Sequence, residues 1–304
     1  MSGERLMVQT LFDLVRRYAD AHADQSGVAQ TPVPGLSMVR VLYPGALQVA
    51  INRPLVAMVL QGRKLVTMGA ETFDLGPGDA LLISADVPTV SQISKASVAA
   101  PYYSLILELD LAMIADIAAA IGLPQGQGGP ISVERLDLHV EDVATRLMQF
   151  LNRSGAISVL GDGLLREMHY WMLSGSHGIA IRRLGTADSH AQRISRAVAL
   201  IRAQFAETLR VNELADAAGM SISSFHQHFR AATTLSPLQF QKQLRLIEAR
   251  RKMMAEGAAI ADAAYAVGYE SVPQFTREYS RLFNVSPGRD LRQTRTGASG
   301  LQPA

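Results

Sequence analysis

The chain contains no cysteine. That excludes disulfides, thiolate nucleophiles, cysteine-ligated zinc and any thiol-based redox or electrophile sensor. Histidine is also scarce, with seven in 304 residues and none between His22 and His139. A metal centre of clustered His and Glu on strands in that interval therefore lacks its main ligand. His226 and His228 stand two apart on an expected helix and cannot face one ligand together. His139 and His169 are isolated and read as structural. Long apolar runs are missing too. The most apolar stretch, Tyr102 to Leu123, is broken by Glu108, Asp110 and Asp116 and is no membrane span. The N-terminus mixes Glu4, Arg5, Asp13, Arg16 and Arg17 and lacks the uninterrupted apolar core of a signal peptide. There is no Gly-x-Ser-x-Gly and no phosphate-binding loop, and Gly126-Gln-Gly-Gly129 follows no strand. The expectation is a cytoplasmic protein with no catalytic residue, no metal and no cofactor, and with no membrane partner.

What is present is unevenly divided. Net charge is only +2. Residues 1–189 hold 14 Lys/Arg against 18 Asp/Glu, whereas residues 190–304 hold 15 against 9. An acidic front and a basic back direct only the back toward a polyanion. A length of 304 residues suggests two domains, and 48% hydrophobic content is ample for two cores.

The basic part contains a repeat. Ala215-xxx-Gly219 and Ala264-xxx-Gly268 recur at an offset of 49. Beyond one extra turn residue, Ser221/Ser271, Phe225/Phe275, Phe229/Tyr279, Ser236/Ser286 and Pro237/Pro287 recur at 50. Each copy reads as a helix-turn-helix. A small alanine allows a close crossing. A glycine takes the left-handed turn, and a serine caps the second helix. In the first copy Ile222, Phe225 and Phe229 form the apolar face, with Ser223, His226, Gln227 and Arg230 opposite. In the second, Phe275, Tyr279 and Leu282 are inward, with Gln274, Arg277 and Arg281 outward. Gln and Arg are shaped for bidentate reading of adenine and guanine edges. Between the copies, Ser236, Pro237 and Gln239 form a capping box ahead of a helix that can run unbroken to Glu256, where Gly257 ends it. Two amphipathic hairpins without a DNA role are the plainer alternative, but polar outer faces on both copies favour double-stranded DNA as the partner.

These motifs resemble the AraC/XylS family of bacterial transcription regulators. The resemblance rests on Leu214-Ala-Asp-Ala-Ala-Gly-Met-Ser221, Ser236-Pro237, Leu244-Arg-Leu-Ile-Glu-Ala-Arg250, Val267-Gly-Tyr-Glu-Ser271, Phe275-Thr-Arg-Glu-Tyr279 and Val285-Ser-Pro287. Many members place a large aromatic or basic pair early in the first recognition helix, where this chain has Ser223 and Ser224. The match implies a DNA face of Ser223, His226, Gln227, Arg230, Pro273, Gln274, Thr276, Arg277 and Arg281.

Ahead of it, residues 4 to 22 read as one helix. Eight short strands follow between Ser37 and Leu109, with breaks at Pro44-Gly45, Gln61-Gly62, Gly69 and Gly76-Pro-Gly-Asp79, which argues for a small antiparallel barrel or sandwich. Arg63-Lys64 reads as a solvated hairpin tip. Helices are expected at Leu111–Ile121, Ser132–Asn152 and Leu160–Leu173, with the Gly-rich Leu123–Pro130 between the first two. Ser174–Ser189 reads as the interdomain connection. The fold class is α+β: a cupin-like front domain over 1–185 with flanking helices, then an all-α domain over 186–304 of two helix-turn-helix modules joined by a long helix. Pro34-Gly-Leu36, Leu60-Gln-Gly-Arg-Lys64, Gly76-Pro-Gly-Asp79 and Pro101-Tyr102 fit AraC-type regulators with a cupin-like N-terminal domain. That resemblance implies a front that senses a small molecule and forms a homodimer, and a partner in RNA polymerase. Apolar strands suit a partly apolar organic effector, for which Met58, Leu60, Tyr102 and Ser104 are the candidate ligand-binding residues. A cupin-fold enzyme fused to a DNA-binding tail is the alternative. Activation and repression are not separable from the sequence.

Overall fold

The computed structural model describes residues 9–292 except 46, 69–70, 122–130, 152 and 186–189. The start of the first expected helix, the Gly-rich 123–130 segment and the end of the expected connection lie outside the described residues. The chain divides into two compact units, one of Met1–Gln48 with Asn52–Gln192 and the other of Val49–Ile51 with Arg193–Ala304.

The first unit is mixed. It opens with α1 (Leu11–His22), capped by a reciprocal Thr10–Asp13 box. Ten strands then form two antiparallel sheets. One has six strands in the order β1 (Val28–Gln30), β2 (Leu36–Val41), β9 (Tyr102–Glu108), β4 (Leu55–Gln61), β7 (Asp79–Ile83) and β10 (Ile131–Arg135). The other has four, in the order β3 (Gln48–Ile51), β8 (Pro88–Lys95), β5 (Arg63–Met68) and β6 (Glu71–Leu75). Among the described residues no strand pairing joins the sheets, so the expected barrel is an unclosed two-sheet arrangement.

The six-stranded sheet is covered on both faces. Val56 and Met58 of β4 and Tyr103, Leu105 and Leu107 of β9 pack into a core shared with the helices. Their neighbours Val59 and Tyr102 turn the other way, into a second core shared with β5 and β6. Burial on both faces explains why Leu55–Leu60 and Tyr102–Leu107 read as continuous apolar runs rather than alternating ones.

The helices of this unit are α2 (Leu111–Ile121), α3 (Leu138–Phe150), α4 (Ser154–Ser174) and α5 (Gly178–Gly185). Two sequence expectations fail here. The helix expected from Ser132 begins only after Asp137, whose carboxylate accepts from the His139 and Val140 amides. Ahead of it, β10 pairs with β7 because Ile131 and Val133 alternate toward the inter-sheet core. The expected loose connection contains α5, which buries Ala180, Ile181 and Leu184. Its glycines misled the reading. A Cβ on Gly178 would lie 2.0 Å from the Leu173 carbonyl oxygen, so this glycine marks close packing, not a flexible link.

Apart from Val49–Ile51, the regular structure of the second unit is helical among the described residues. It comprises α6 (His190–Ala203), α7 (Val211–Ala218), α8 (Ile222–Thr233), α9 (Pro237–Ala255), α10 (Ile260–Ala266) and α11 (Val272–Phe283). α9 lends one stretch to each of two cores. Phe240 and Leu244 pack with α6, α7 and α8. Leu246, Ala249 and Met253 pack with α10 and α11.

Candidate nucleic-acid interface

In the first module α7 ends at Gly219, with φ 61°, and the Met220 amide donates back to the Ala215 carbonyl at 2.9 Å. That closure turns the chain into α8, capped by Ser221 Oγ accepting from the Ser224 amide at 3.4 Å. Phe225 and Phe229 are fully buried. Their rings meet edge to face with centroids 5.3 Å apart, and Phe229 meets Phe240 of α9 at 5.6 Å. The opposite face of α8 carries Ser223, His226, Gln227 and Arg230, all exposed. Ile222, expected on the apolar face, is 46% exposed, because the first helical turn projects beyond the core.

The second module repeats the plan with different fastenings. Gly268, at φ 84°, makes the turn, and a Cβ there would sit 2.0 Å from the Ala206 carbonyl oxygen. Ser271 occupies the cap position of α11 but makes no side-chain cap bond, contrary to expectation. Its backbone is extended (φ −141°), and Pro273 in the first turn offers no amide to cap. Phe275 and Tyr279 are fully buried. Pro273, Arg277 and Arg281 are exposed, and Gln274 and Thr276 half-buried. Among the described residues no carboxylate pairs with the guanidinium of Arg230, Arg277 or Arg281. By contrast Arg40, Arg63, Arg146 and Arg250 each hold an acidic partner.

α9 fastens the modules together through two polar side chains. Arg245 donates to the carbonyls of Phe205 (2.6 Å), Ala206 (3.2 Å) and Glu207 (2.9 Å) in the α6–α7 connection, and to that of Gly268 (2.9 Å) in the second turn. Gln241, one turn earlier, donates to Phe205 and Glu207. One guanidinium thus donates to carbonyls of both modules, sharing Phe205 and Glu207 with Gln241. At the far end Arg250 and Tyr279 both donate to Asp290, which is only 5% exposed. The carboxylate and the burial of the ring together push the Tyr279 phenol upward from its usual range, burial contributing most. Glu278 of α11 accepts from Tyr269, Lys242 and Gln274. None of these fastenings was singled out from the sequence. The available signal was a pair of polar residues, Gln241 and Arg245, four apart and beside the apolar Phe240, Leu244 and Ala249.

The four residues expected to bind an effector do not share one face. Met58, fully buried, and Leu60 belong with the core on the helical side of the sheet. Tyr102 belongs with the inter-sheet core, where burial pushes its pKa up to about 12. The inter-sheet side holds another polar group. Lys64, expected at a solvated tip, pairs in register with Leu75 on β6 and Ile93 on β8, both buried. The residue as a whole is half-buried, and burial pushes its ammonium below the usual lysine range. Its neighbour Arg63 does reach solvent and pairs with Asp74 at 2.9 Å. Among the described residues no group of three His, Cys, Asp or Glu side chains could hold a metal ion.

The sequence model of the AraC-type transcriptional regulator N-terminus matches residues 32–180, and that of a helix-turn-helix domain matches residues 214–293. The chain is 31% identical over 110 residues to the HTH-type transcriptional activator RhaS of Escherichia coli O1:K1 / APEC. That stretch is 36% of this chain and 39% of the relative. Among solved structures, apo ToxT K231A from Vibrio cholerae superposes with a TM-score of 0.60 at 10% identity, covering 86% of this chain and 98% of that one. Unsaturated fatty acid-bound ToxT gives 0.57 at 11%, covering 84% and 94%. At these identities the likeness to ToxT establishes the fold alone.

Proposed function

The chain belongs to the AraC-type transcriptional regulators, and from that premise we propose that it is a sequence-specific regulator whose two recognition helices, α8 and α11, enter successive major grooves. The observation that carries this is the pair of outward faces. Each presents a guanidinium that pairs with no carboxylate among the described residues, and Arg245 ties both modules to one helix. The span of α9 supports the same reading. Its 19 residues at about 1.5 Å each give roughly 28 Å, close to the roughly 34 Å between successive major grooves on one side of the duplex.

The first unit serves as a sensor and dimerises the chain. Its effector is a small, partly apolar acid. Lys64 on the inter-sheet side supports a negative group, and the surrounding Val66, Phe73 and Leu75 support an apolar body. The proteins it resembles in fold hold an unsaturated fatty acid in one structure and a naphthalenyl butenoic acid in another. Bound to DNA in the cytoplasm, the dimer contacts RNA polymerase and, like the curated relatives by name, activates transcription.

The test is an anisotropy titration of the full chain on duplexes enriched from a random pool. Affinity should fall steeply and log-linearly with salt as phosphate contacts release counterions. Arg230→Ala and Arg277→Ala should each lower affinity by about 1–3 kcal/mol and relax preference at one position. Equal binding to enriched and random duplexes overturns the reading.

A further inference from the structure

The base-reading face of α11 contains a carboxylate that a DNA surface would ordinarily repel. Glu278 lies one turn beyond Gln274, and its side chain is 21% exposed. Three donors from three places converge on it. Tyr269, in the turn before α11, donates its hydroxyl to Oε2 at 2.8 Å. Lys242, on α9, donates to Oε1 at 3.1 Å. Gln274 donates its Nε2 to the same Oε1 at 3.3 Å. Burial alone would push this carboxyl upward, but the hydrogen bonds from Tyr269, Lys242 and Gln274 outweigh it and hold the group below the usual glutamate range. The first module has no carboxylate at the matching position. At the repeat offset of 50, Ser224 and His228 stand where the second has Gln274 and Glu278.

A glutamine side chain has two nearly isosteric orientations. One presents the carbonyl oxygen outward with one N–H beside it. The other presents only the amino group. Ionised, Glu278 is an acceptor with no proton to give, so only an N–H of Gln274 can face it. The carbonyl oxygen of Gln274 is then directed away from Glu278, and one N–H remains free. Adenine offers a donor at N6 and an acceptor at N7, which match that pair. Guanine offers two acceptors, which match the flipped amide.

We propose that Glu278 is a specificity-determining positioning residue: by accepting the Gln274 amide N–H it holds that amide with its oxygen outward, committing the position to adenine and excluding the flipped form that would read guanine. Tyr269 and Lys242 keep the carboxylate in place and offset its charge near the phosphates. The inference rests on the proposed docking of α11.

The experiment measures binding of the full chain to its enriched duplex and to that duplex with each base pair replaced in turn. Three proteins are compared: the parent, Gln274→Ala and Glu278→Gln. The glutamine at 278 can donate as well as accept, so the Gln274 amide becomes free to flip. The parent should prefer adenine over guanine at one position. Gln274→Ala should abolish that preference. Glu278→Gln should reduce it by about tenfold at the same position, leaving the other positions and the salt dependence unchanged. If Glu278→Gln weakens all duplexes equally, or keeps the parent's preference while Gln274→Ala loses it, Glu278 is only a structural tie and the proposal falls. If Gln274→Ala alters no position, the docking of α11 itself is wrong and the proposal falls with it. Melting curves of each variant confirm folding.

Discussion

The two helix-turn-helix modules share a sequence plan but are held by different forces. The first is fastened by apolar contact: Phe225, Phe229 and Phe240 meet edge to face, and its turn closes on backbone bonds around Gly219. The second adds polar ties at both ends of α11, Glu278 with its three donors and Asp290 with Arg250 and Tyr279. Its turn is also pressed against the α6–α7 connection at Ala206. Opening the second module leaves the buried Asp290 without its two donors. A repeated motif therefore does not imply repeated energetics. Phe225 and Phe275 are equivalent in the pattern, but at the repeat offset the acidic Glu278 and Asp290 correspond to His228 and Phe240, which are not acidic.

The largest effect should come from removing the deepest polar tie. Asp290→Ala leaves Arg250 and the Tyr279 hydroxyl without their acceptor and should cost about 3–5 kcal/mol, localised to the second module. Hydrogen exchange resolved by residue checks this: amides of α10 and α11 should lose protection while those of α7 and α8 keep theirs. Equal loss in both would erase the distinction between them.

Arg245→Ala should act on both modules at once. It removes hydrogen bonds from a charged donor to carbonyls of both modules, and a cost of about 2–3 kcal/mol is expected. In thermal unfolding the two modules should melt together in the parent and in two steps in the variant. A variant that still melts in one step would show that apolar packing along α9 suffices to couple the modules.

Acid should separate them more gently. The folded-state pKa of Glu278 is depressed, so its stabilising contribution is fully present above the unfolded glutamate value of about 4.3 and is lost as pH falls through the lower folded value. His228 stands at its place in the first copy. On titration below that range, NMR signals of α11 should lose dispersion before those of α8, and Glu278→Gln should remove the difference.

The smallest effect concerns a feature the modules do share. Each recognition helix ends on a non-glycine residue in the left-handed region, Thr234 at φ 64° and Asn284 at φ 55°. Asparagine tolerates that backbone, while a β-branched threonine is strained in it. Thr234→Asn should stabilise the first module by up to about 1 kcal/mol, read as a rise in its denaturant midpoint. No change would mean that the Thr233–Leu235 hydrogen bonds already offset the strain.

These differences also mark how much of the molecule was legible beforehand. Periodicity placed Phe225, Phe229, Phe275 and Tyr279 inward and Arg230 and Arg277 outward, because burial follows the pattern of a single helix. Glycines at 219 and 268 marked the turns because only they take a left-handed backbone without strain. The same rule misfired at Gly178, where glycine serves close packing, and at Ser132, where two alternating apolar residues beside polar ones were too short a signal to separate strand from helix. The barrel was expected to close because strand count and turn spacing do not encode which edges pair. Arg245, Glu278 and Asp290 stayed hidden for a different reason. Their distant partners, Phe205 and Gly268 for Arg245, Lys242 for Glu278 and Arg250 for Asp290, lie across sequence separations that no local pattern reports, and Lys64 reads as a solvated hairpin tip.

In the proposed function the two modules act as one rigid reader whose span is set by α9. That arrangement is tested most directly on the DNA, where no variant needs to fold. The full chain is titrated on its enriched duplex and on duplexes with one to five base pairs inserted between the two stretches it prefers. A rigid reader predicts that five added pairs, which rotate one stretch to the opposite face of the helix, reduce specific affinity toward that of a single stretch, while weak salt-sensitive binding survives. Affinity that is unchanged across the whole insertion series would contradict it.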